Sequence, residues 1–495
     1  MNGGRQSDSP VVPAKPANEI ARAAAESVEE RGLVEGNTAS AACSGHGAGT
    51  RVPRAFDRVR QVAERGKKVR FTALLHHVDV EALNAAYWRL RRQAAPGEGG
   101  VRWADYGQDL EANLLDLHDR IHRGAYRPKP SRRVFIPKTD GRQRPLGIAT
   151  TEDKIVQSAV VEVLNAIYEA DFLGFSYGFR PGRKPHDALD ALVTGLLRKE
   201  VNWVLDADIR DFFTSLDHGW LEKFCEHRIG GRRVLRLIQK WVEAGAVEDG
   251  SWAESERRTP QGATVSPLLA NVYLHYVFDQ WVERWRRRQA RGDMIVVRYA
   301  DDFVVGFEHR AGAERFLAEL SERFAKFGLE LKVEKTRLIE FGRFAAVNRA
   351  APAWASGDVQ LPGLHAHQRQ DQDRVLRGQA NHGRQADAGE VERGQGRTHA
   401  VAASTHPEGR TVVGELVRGH IAYYAVPGNL DVVRAFCEEV KRLWLRTLRR
   451  RSQRHKTTWE RMQRLADRWL PKLRVLHPYP EQRFDATTRG RSPVR

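Results

Sequence analysis

Residues 292–308 read GDMIVVRYADDFVVGFE, and two adjacent carboxylates, Asp301 and Asp302, stand in the middle of an otherwise apolar run. Val296, Tyr299, Phe303 and Val305 are β-branched or aromatic and predict strands on both sides of them. The simplest reading is a hairpin whose turn holds the acids, because Asp is a good turn residue and IVVRY and FVVGF are then antiparallel partners. The rest of the chain decides whether the acids do more than turn it.

A second acidic strand bears on that question. Residues 201–218, VNWVLDADIRDFFTSLDH, run Asp208 into an apolar strand just before a turn and aromatics. An isolated buried carboxylate is costly, and neighbouring ones repel each other. Divalent cations remove both objections, since Mg²⁺ binds one or two carboxylates together with substrate phosphates and water. Two Mg²⁺ ions about 3.5–4 Å apart can activate a 3′-hydroxyl and stabilise a leaving pyrophosphate. Asp208 and Asp301, with Asp302 beside it, suit that chemistry if the two strands are neighbours. Asp206, on the same strand face as Asp208, and Asp211, nearer the turn, are weaker candidates that solvation alone can explain.

The 495 residues suffice for two or three domains. A formal charge of +18, spread along the chain, favours a polyanionic partner, although a generally basic protein has the same signature. Cys43, Cys225 and Cys437 are far apart and in no metal-ligand spacing, which argues for a reducing compartment and against disulfides or zinc. With no membrane-length apolar run and no signal-peptide core at the N-terminus, a cytoplasmic location is expected. Helical periodicity starts at Phe71 and continues through FTALLHHVDVEALNAAYWRLRRQ, then resumes in YGQDLEANLLDLHDRIHRGAY. Strands are expected at SRRVFIPK, LGIAT and WVLDADIRDFF, and helices at EDKIVQSAVVEVLNAIYEADF, VSPLLANVYLHYVFDQWVERW and AGAERFLAELSERFAKFGLEL. That order implies an α+β domain with a small, mostly antiparallel sheet.

The ordered set YADD, DIRDFF and TPQGATVSPLLANVYL resembles the palm of reverse transcriptases. RRVFIPKTDGRQRPLGIAT, SYGFRPGRKPHDAL and GLELKVEKTRLIEFG are similar to finger and palm blocks of the bacterial group II intron reverse transcriptase/maturase family, and VRGHIAYYAVPGN to its maturase segment. The resemblance covers about residues 70–345 and 416–495. It implies a right-hand polymerase, with α+β fingers and palm followed by an α-helical thumb/maturase domain. The implied boundaries are a tail over 1–55, a helical extension over 56–125, fingers and palm over 126–345, an anomalous segment over 346–415 and the thumb/maturase domain over 416–495.

By the same resemblance, Asp208, Asp301 and Asp302 would be catalytic and hold two Mg²⁺ ions, with the Ile209 carbonyl as a backbone ligand. Phe213 would exclude a ribose 2′-hydroxyl. Gln261 and Gly262 would lie against the incoming nucleotide and template, while Lys138 and Arg144 would hold the triphosphate. Lys335 would sit near the primer end, and Arg180 would contact template backbone. Expected partners are an intron RNA template, a DNA target or primer, and dNTPs, with no membrane. His118, His122 and His186 have no ligand geometry and are expected to be structural or RNA contacts. The family's usual Asp in the loop here reading APGEGG is replaced by Glu98 or a Gly, which puts that loop's fold in doubt. No nuclease module is expected after the maturase segment.

Residues 351–415 break the pattern, with no Lys, Ile, Phe, Tyr or Met and no helical or strand periodicity. Composition alone fits a linker, yet the family places an FLGF strand block and a basic thumb helix here. LPGLH, written CTT CCT GGG CTT CAC, becomes FLGFT when read one base forward. We therefore expect this segment to be translated out of frame between two compensating indels. Beyond Leu416, Trp444, Leu445 and Leu448 share one helix side, and Arg446, Arg449, Arg450 and Arg451 crowd the other, which suits phosphate contacts to structured RNA. Two other readings are a polymerase-inactive RNA-binding maturase or degenerate remnant, and a retron-type or defence-associated reverse transcriptase.

Overall fold

Asp206 and Asp208 reach the carboxylate turn because their strand is the inner neighbour of the acidic hairpin, in one of two four-stranded sheets. The computed structural model describes residues 52–137, 143–244, 246–248, 251–253, 262–341, 407–427, 429–450 and 458–488. Lys138, Gln261 and the span 342–406, which holds most of the anomalous segment, lie outside the described residues.

Helix α1 (Val52–Arg65) is amphipathic and buries Val59 and Ala63. The helix expected from Phe71 starts later. Leu75–His77 form only a 3₁₀ turn, and α2 runs Val80–Arg89. Asp79 is the reason: its side chain accepts from the Ala82 N–H and caps a new start. After α3 (Leu110–Arg123), strands β1 (Ser131–Pro137) and β2 (Gln143–Ile148) form an antiparallel hairpin. Next come α4 (Thr151–Asp171), capped by the Thr150 hydroxyl, α5 (Pro185–Arg198) and β3 (Trp203–Ala207). A single turn α6 (Phe212–Ser215) and helices α7 (His218–Glu226) and α8 (Arg232–Glu243) follow. Short β4 (Ala246–Glu248) and β5 (Ser251–Ala253), too brief for any periodicity to betray, complete the first sheet in the order β2-β1-β4-β5, with β1 and β4 parallel.

The long apolar helix divides into α9 (Ser266–Leu274), a wide π turn at His275–Asp279 and α10 (Gln280–Arg288). The acidic hairpin is β6 (Met294–Tyr299) and β7 (Asp302–Phe307), followed by α11 (Arg310–Lys326) and β8 (Arg337–Glu340). The second sheet runs β6-β7-β3-β8 and is antiparallel throughout. Both of its faces are covered. Leu205, Val296, Phe303 and Val305 join the large core shared with α4 and α9, while Val204, Ile295, Val297 and Ile339 pack with α5.

The last part is helical: α12 (Pro407–Tyr424), α13 (Leu430–Arg450), α14 (Trp459–Trp469) and α15 (Pro480–Thr488). Helix α12 begins upstream of Leu416 and buries Val413, so the helical pattern extends into the stretch read as aperiodic. Trp444 and Leu445 enter this unit's own core, and Arg446 and Arg449 are exposed, as the sequence pattern anticipated. The APGEGG loop is firmly held: Lys154 Nζ donates to the Ala95 carbonyl at 2.8 Å, and a Cβ on Gly97 would strike the Ala149 carbonyl.

Candidate active site

The register Ala207 opposite Phe303 places Asp208, one residue further, opposite Asp302. Residues directly opposed across antiparallel strands share a face. Asp206, Asp208, Asp302 and, through its pairing with Asp302, Tyr299 therefore all point to the α5 side of the sheet. Asp301 lies in the two-residue turn between Tyr299 and Asp302. Ala300, the first central residue, has φ of 56°, and Asp301 does not share that left-handed conformation. That combination is the type II′ pattern that suits a hairpin's twist. Sequence and structure thus agree on the turn, and both acidic strands deliver their carboxylates to it.

Electrostatics mark the cluster. Protein atoms crowd the Asp302 carboxyl even though its side chain reaches solvent. That desolvation, and then the charges of Asp301 and Asp208, push it up to about 7. Burial likewise raises Asp206 to about 7, with Asp208 adding to the shift and Arg337 and Lys335 opposing it. Lys335 Nζ sits 2.8 Å from Asp208 Oδ2 and Lys332 Nζ 3.9 Å from the same oxygen. Burial, the largest single influence, disfavours the Lys335 charge, but the bond to Asp208 together with the charges of Asp208, Asp302 and Asp301 outweighs it and raises its pKa. No three His, Cys, Asp or Glu side chains among the described residues converge tightly enough to hold a metal. The donors nonetheless fit a hard divalent cation: several carboxylates gather at neighbouring strand ends, and an ammonium now offsets one of them. The bonds Lys332 N–H to Asp208 carbonyl and Arg210 N–H to Glu330 carbonyl flank Ile209. Its own carbonyl therefore points away from residues 330–332, available to a ligand.

Gly262, at φ 110°, approaches β2 so closely that a Cβ would lie 2.7 Å from the Gly147 carbonyl, so glycine is required there. Phe213, half-buried, stands beside fully packed Phe212 just past Asp208, and Arg144 pairs with Ile136 in the β1–β2 hairpin. Arg180 corrects the sequence reading. Its side chain is 3% exposed and faces inward, bonding Glu169 at 2.9 Å and the carbonyls of Leu173 and Ser176 at 2.8 and 2.7 Å. It pins the 173–183 loop to α4, with its Nε, Nη1 and Nη2 groups turned to Glu169 and loop carbonyls. The histidines are structural: His122 Nε2 meets the Val78 carbonyl at 3.1 Å, His186 Nε2 the Tyr423 carbonyl at 2.9 Å, and His118 stacks on His122.

Sequence reasoning missed the support beneath the turn. Arg298 and Asp279 are both fully buried and paired on the opposite side of the sheet from the carboxylates. The signal was present, since each is a lone charge inside an apolar run, IVVRY and YVFDQW. Such charges persist only when paired.

This geometry can be set beside known proteins. Residues 136–371 match the reverse transcriptase (RNA-dependent DNA polymerase) family. Protein YkfC of Escherichia coli strain K12 is 34% identical over 239 residues, covering 42% of this chain and 62% of that protein. The group II intron-encoded protein LtrA of Lactococcus lactis is 39% identical over 169 residues, 33% of this chain and 27% of LtrA. An uncharacterized 91 kDa protein in the cob intron of Schizosaccharomyces pombe is 40% identical over 178 residues, 35% of this chain and 22% of that protein. The chain thus spans about three-fifths of the first relative and about a quarter of the others. The matched region has a right-hand polymerase fold with fingers and palm, and reverse transcriptases as a family depend on divalent metal. No helix among the described residues is long and apolar enough to cross a membrane.

Proposed function

We propose that this chain is an RNA-directed DNA polymerase of the bacterial group II intron type, acting in the cytoplasm, that also binds its parent intron RNA and assists splicing and mobility. One observation carries the reading: the β3–β7 register sets Asp208 opposite Asp302, next to Asp301 in the turn. Two Mg²⁺ ions held by Asp208, Asp301, Asp302 and the Ile209 carbonyl would activate the primer 3′-hydroxyl and stabilise the leaving pyrophosphate. The chain's own residues supply binding and order. Lys335, released from Asp208, would turn to the primer or nucleotide phosphates. Lys138 and Arg144 on the β1–β2 hairpin would hold the triphosphate, with Gln261 and Gly262 against the base pair. Phe213 would fill the space of a 2′-hydroxyl. The exposed arginines of α13 would grip intron RNA phosphates.

The test is extension of a DNA primer on an RNA template with dNTPs and Mg²⁺. The parent protein is expected to extend it and the Asp301→Ala variant to leave it unextended. Extension by the variant within tenfold of the parent would remove the assignment. A second reading, a splicing factor or remnant without polymerase activity, is favoured by the composition of residues 351–415. If that segment is out of frame, restoring the frame by one base at each end is expected to raise processive synthesis strongly. Processive synthesis by the unaltered chain would make the segment a genuine insertion.

A further inference from the structure

The underside of the carboxylate turn is built from charge. Arg298, on β6, is fully buried and uses all five of its N–H donors. Nε and Nη2 form a fork on Asp279, at 2.7 and 2.6 Å. Nη2 also donates to Ser176 Oγ at 2.7 Å. Nη1 donates to Asn271 Oδ1 at 3.0 Å and to the Ala300 carbonyl at 2.8 Å. Asn271 in turn donates from Nδ2 to the Gly178 carbonyl at 2.7 Å, and a Cβ on Gly178 would lie 2.2 Å from the Ala300 nitrogen. The Tyr177 N–H bonds the Arg298 carbonyl and the Arg298 N–H the Phe175 carbonyl, each at 2.8 Å. Helix α9, the π turn that ends on Asp279 and the 173–183 loop therefore converge on Arg298, whose Nη1 holds the Ala300–Asp301 peptide group.

That peptide group begins the strained part of the hairpin. Ala300 holds a left-handed φ of 56° without being glycine. Such a conformation lasts only where the surroundings over-determine it, and wide π turns recur at functional sites. A pair needed only to fill the core could be apolar, because replacing a buried ion pair by hydrophobic residues of similar volume is often neutral or stabilising. An apolar pair cannot bond the Ala300 carbonyl.

We propose that Arg298, oriented by Asp279, is a positioning residue that fixes the Ala300 peptide and thereby the separation of Asp301 and Asp302 from Asp208. The proposal rests on reading that cluster as a polymerase centre. Arg298 touches neither substrate nor metal, so its effect falls on turnover and metal affinity rather than on nucleic-acid binding.

The double variant Arg298→Met with Asp279→Leu removes both charges together, so neither is left buried alone. Arg298→Lys keeps the charge opposite Asp279 but loses the fork that spans to Ala300. Four quantities are measured on the full chain: kcat and dNTP KM in primer extension, RNA affinity, cooperative thermal unfolding, and the Mn²⁺ concentration giving half of the Mn²⁺-induced rise in Tm. Both variants are expected to unfold cooperatively and to keep RNA affinity and KM, with kcat at least about tenfold lower, as misplacement of reacting groups by an ångström predicts. The Mn²⁺ midpoint should rise severalfold. Unchanged kcat per folded molecule and an unchanged Mn²⁺ midpoint, whatever happens to Tm, would make Arg298 a core residue and end the proposal. A parent that extends no primer would instead break the polymerase reading, and the Mn²⁺ midpoint would still test the positioning role.

Discussion

The carboxylate turn and the C-terminal helices are both fastened by arginine–aspartate pairs, fully buried under the turn and ranging from largely buried to exposed at the helices. Under the turn, Arg298 and Asp279 are each 0% exposed and joined to four elements. The helical unit has its own core around Val417, Val433, Trp444 and Met462 and meets the palm mainly through α15. There Phe484 enters the core beside α5, Arg483 pairs with Asp190, and Arg198 pairs with Asp485 at the surface. His186 bonds the Tyr423 carbonyl and stacks on His477 to close the same seam. The difference teaches that the carboxylate turn is fixed from beneath by a fully buried network, whereas the helical unit is attached by a few graded contacts. A charge pair with no water near it specifies one geometry; one in solvent adds little of either stability or order.

Breaking the attachment is the largest effect on stability expected. Arg483 and Asp190 are 14% and 3% exposed, and burial already lifts Asp190 to about 6 even with its partner present. Arg483→Met would strand that carboxyl and cost about 3 kcal/mol, some of it relieved by protonation. The expected readout is a lower Tm with early loss of hydrogen-exchange protection in α15, and a Tm unchanged within a degree would show that α15 is not the strap. Arg198→Ala, by contrast, removes a pair 47% and 51% exposed and should cost only about 0–1 kcal/mol.

A smaller, chemical contrast separates the two aromatic neighbours after Asp208. Phe212 is core, while Phe213 is half-buried and packs at the edge of the same core. Phe213→Ala should reduce the preference for dNTPs over rNTPs by about tenfold or more, since a lost ring opens room for one hydroxyl. An unchanged ratio would reassign Phe213 to packing.

The smallest effect is on pH dependence. Asp302 and Asp206 keep a proton up to about pH 7, whereas their unfolded carboxyls ionise near 3.8. Between those values the folded chain binds more protons than the unfolded one, so metal-free stability should fall as pH rises through about 4 to 7 and level off above. Asp302→Asn should shallow that slope in urea titrations across the window. Stability that climbs with pH through the same range in the parent, or an unaltered slope in the variant, would contradict the shift.

Much of this was legible in the sequence. Alternation and β-branching gave the hairpin, and the lone Asp208 in an apolar strand gave its partner, because a buried carboxylate needs a reason. What was not legible depends on three-dimensional context. Asp79 cut one apparent helix into a 3₁₀ turn and α2 by capping. The strands β4 and β5 span three residues each and are held by pairing, β4 with β1 and β5 with β4, rather than by pattern. Arg180 looked like a phosphate contact because its motif is basic and glycine-rich, yet the inward course of the loop spends its donors on Glu169 and carbonyls. The lone charges Arg298 and Asp279 carried the same kind of signal as Asp208, but only the fold reveals that they answer each other.

The central claim is that the carboxylates at the β3 and β7 ends act on chemistry while affinity for nucleic acid lies elsewhere. Asp208→Ala, compared with the parent in primer extension and in RNA binding at one salt concentration, tests it most directly. The account predicts loss of extension by about a thousandfold or more with RNA affinity kept within about threefold. Residual extension within tenfold of the parent, or equal losses of extension and RNA binding, would contradict it.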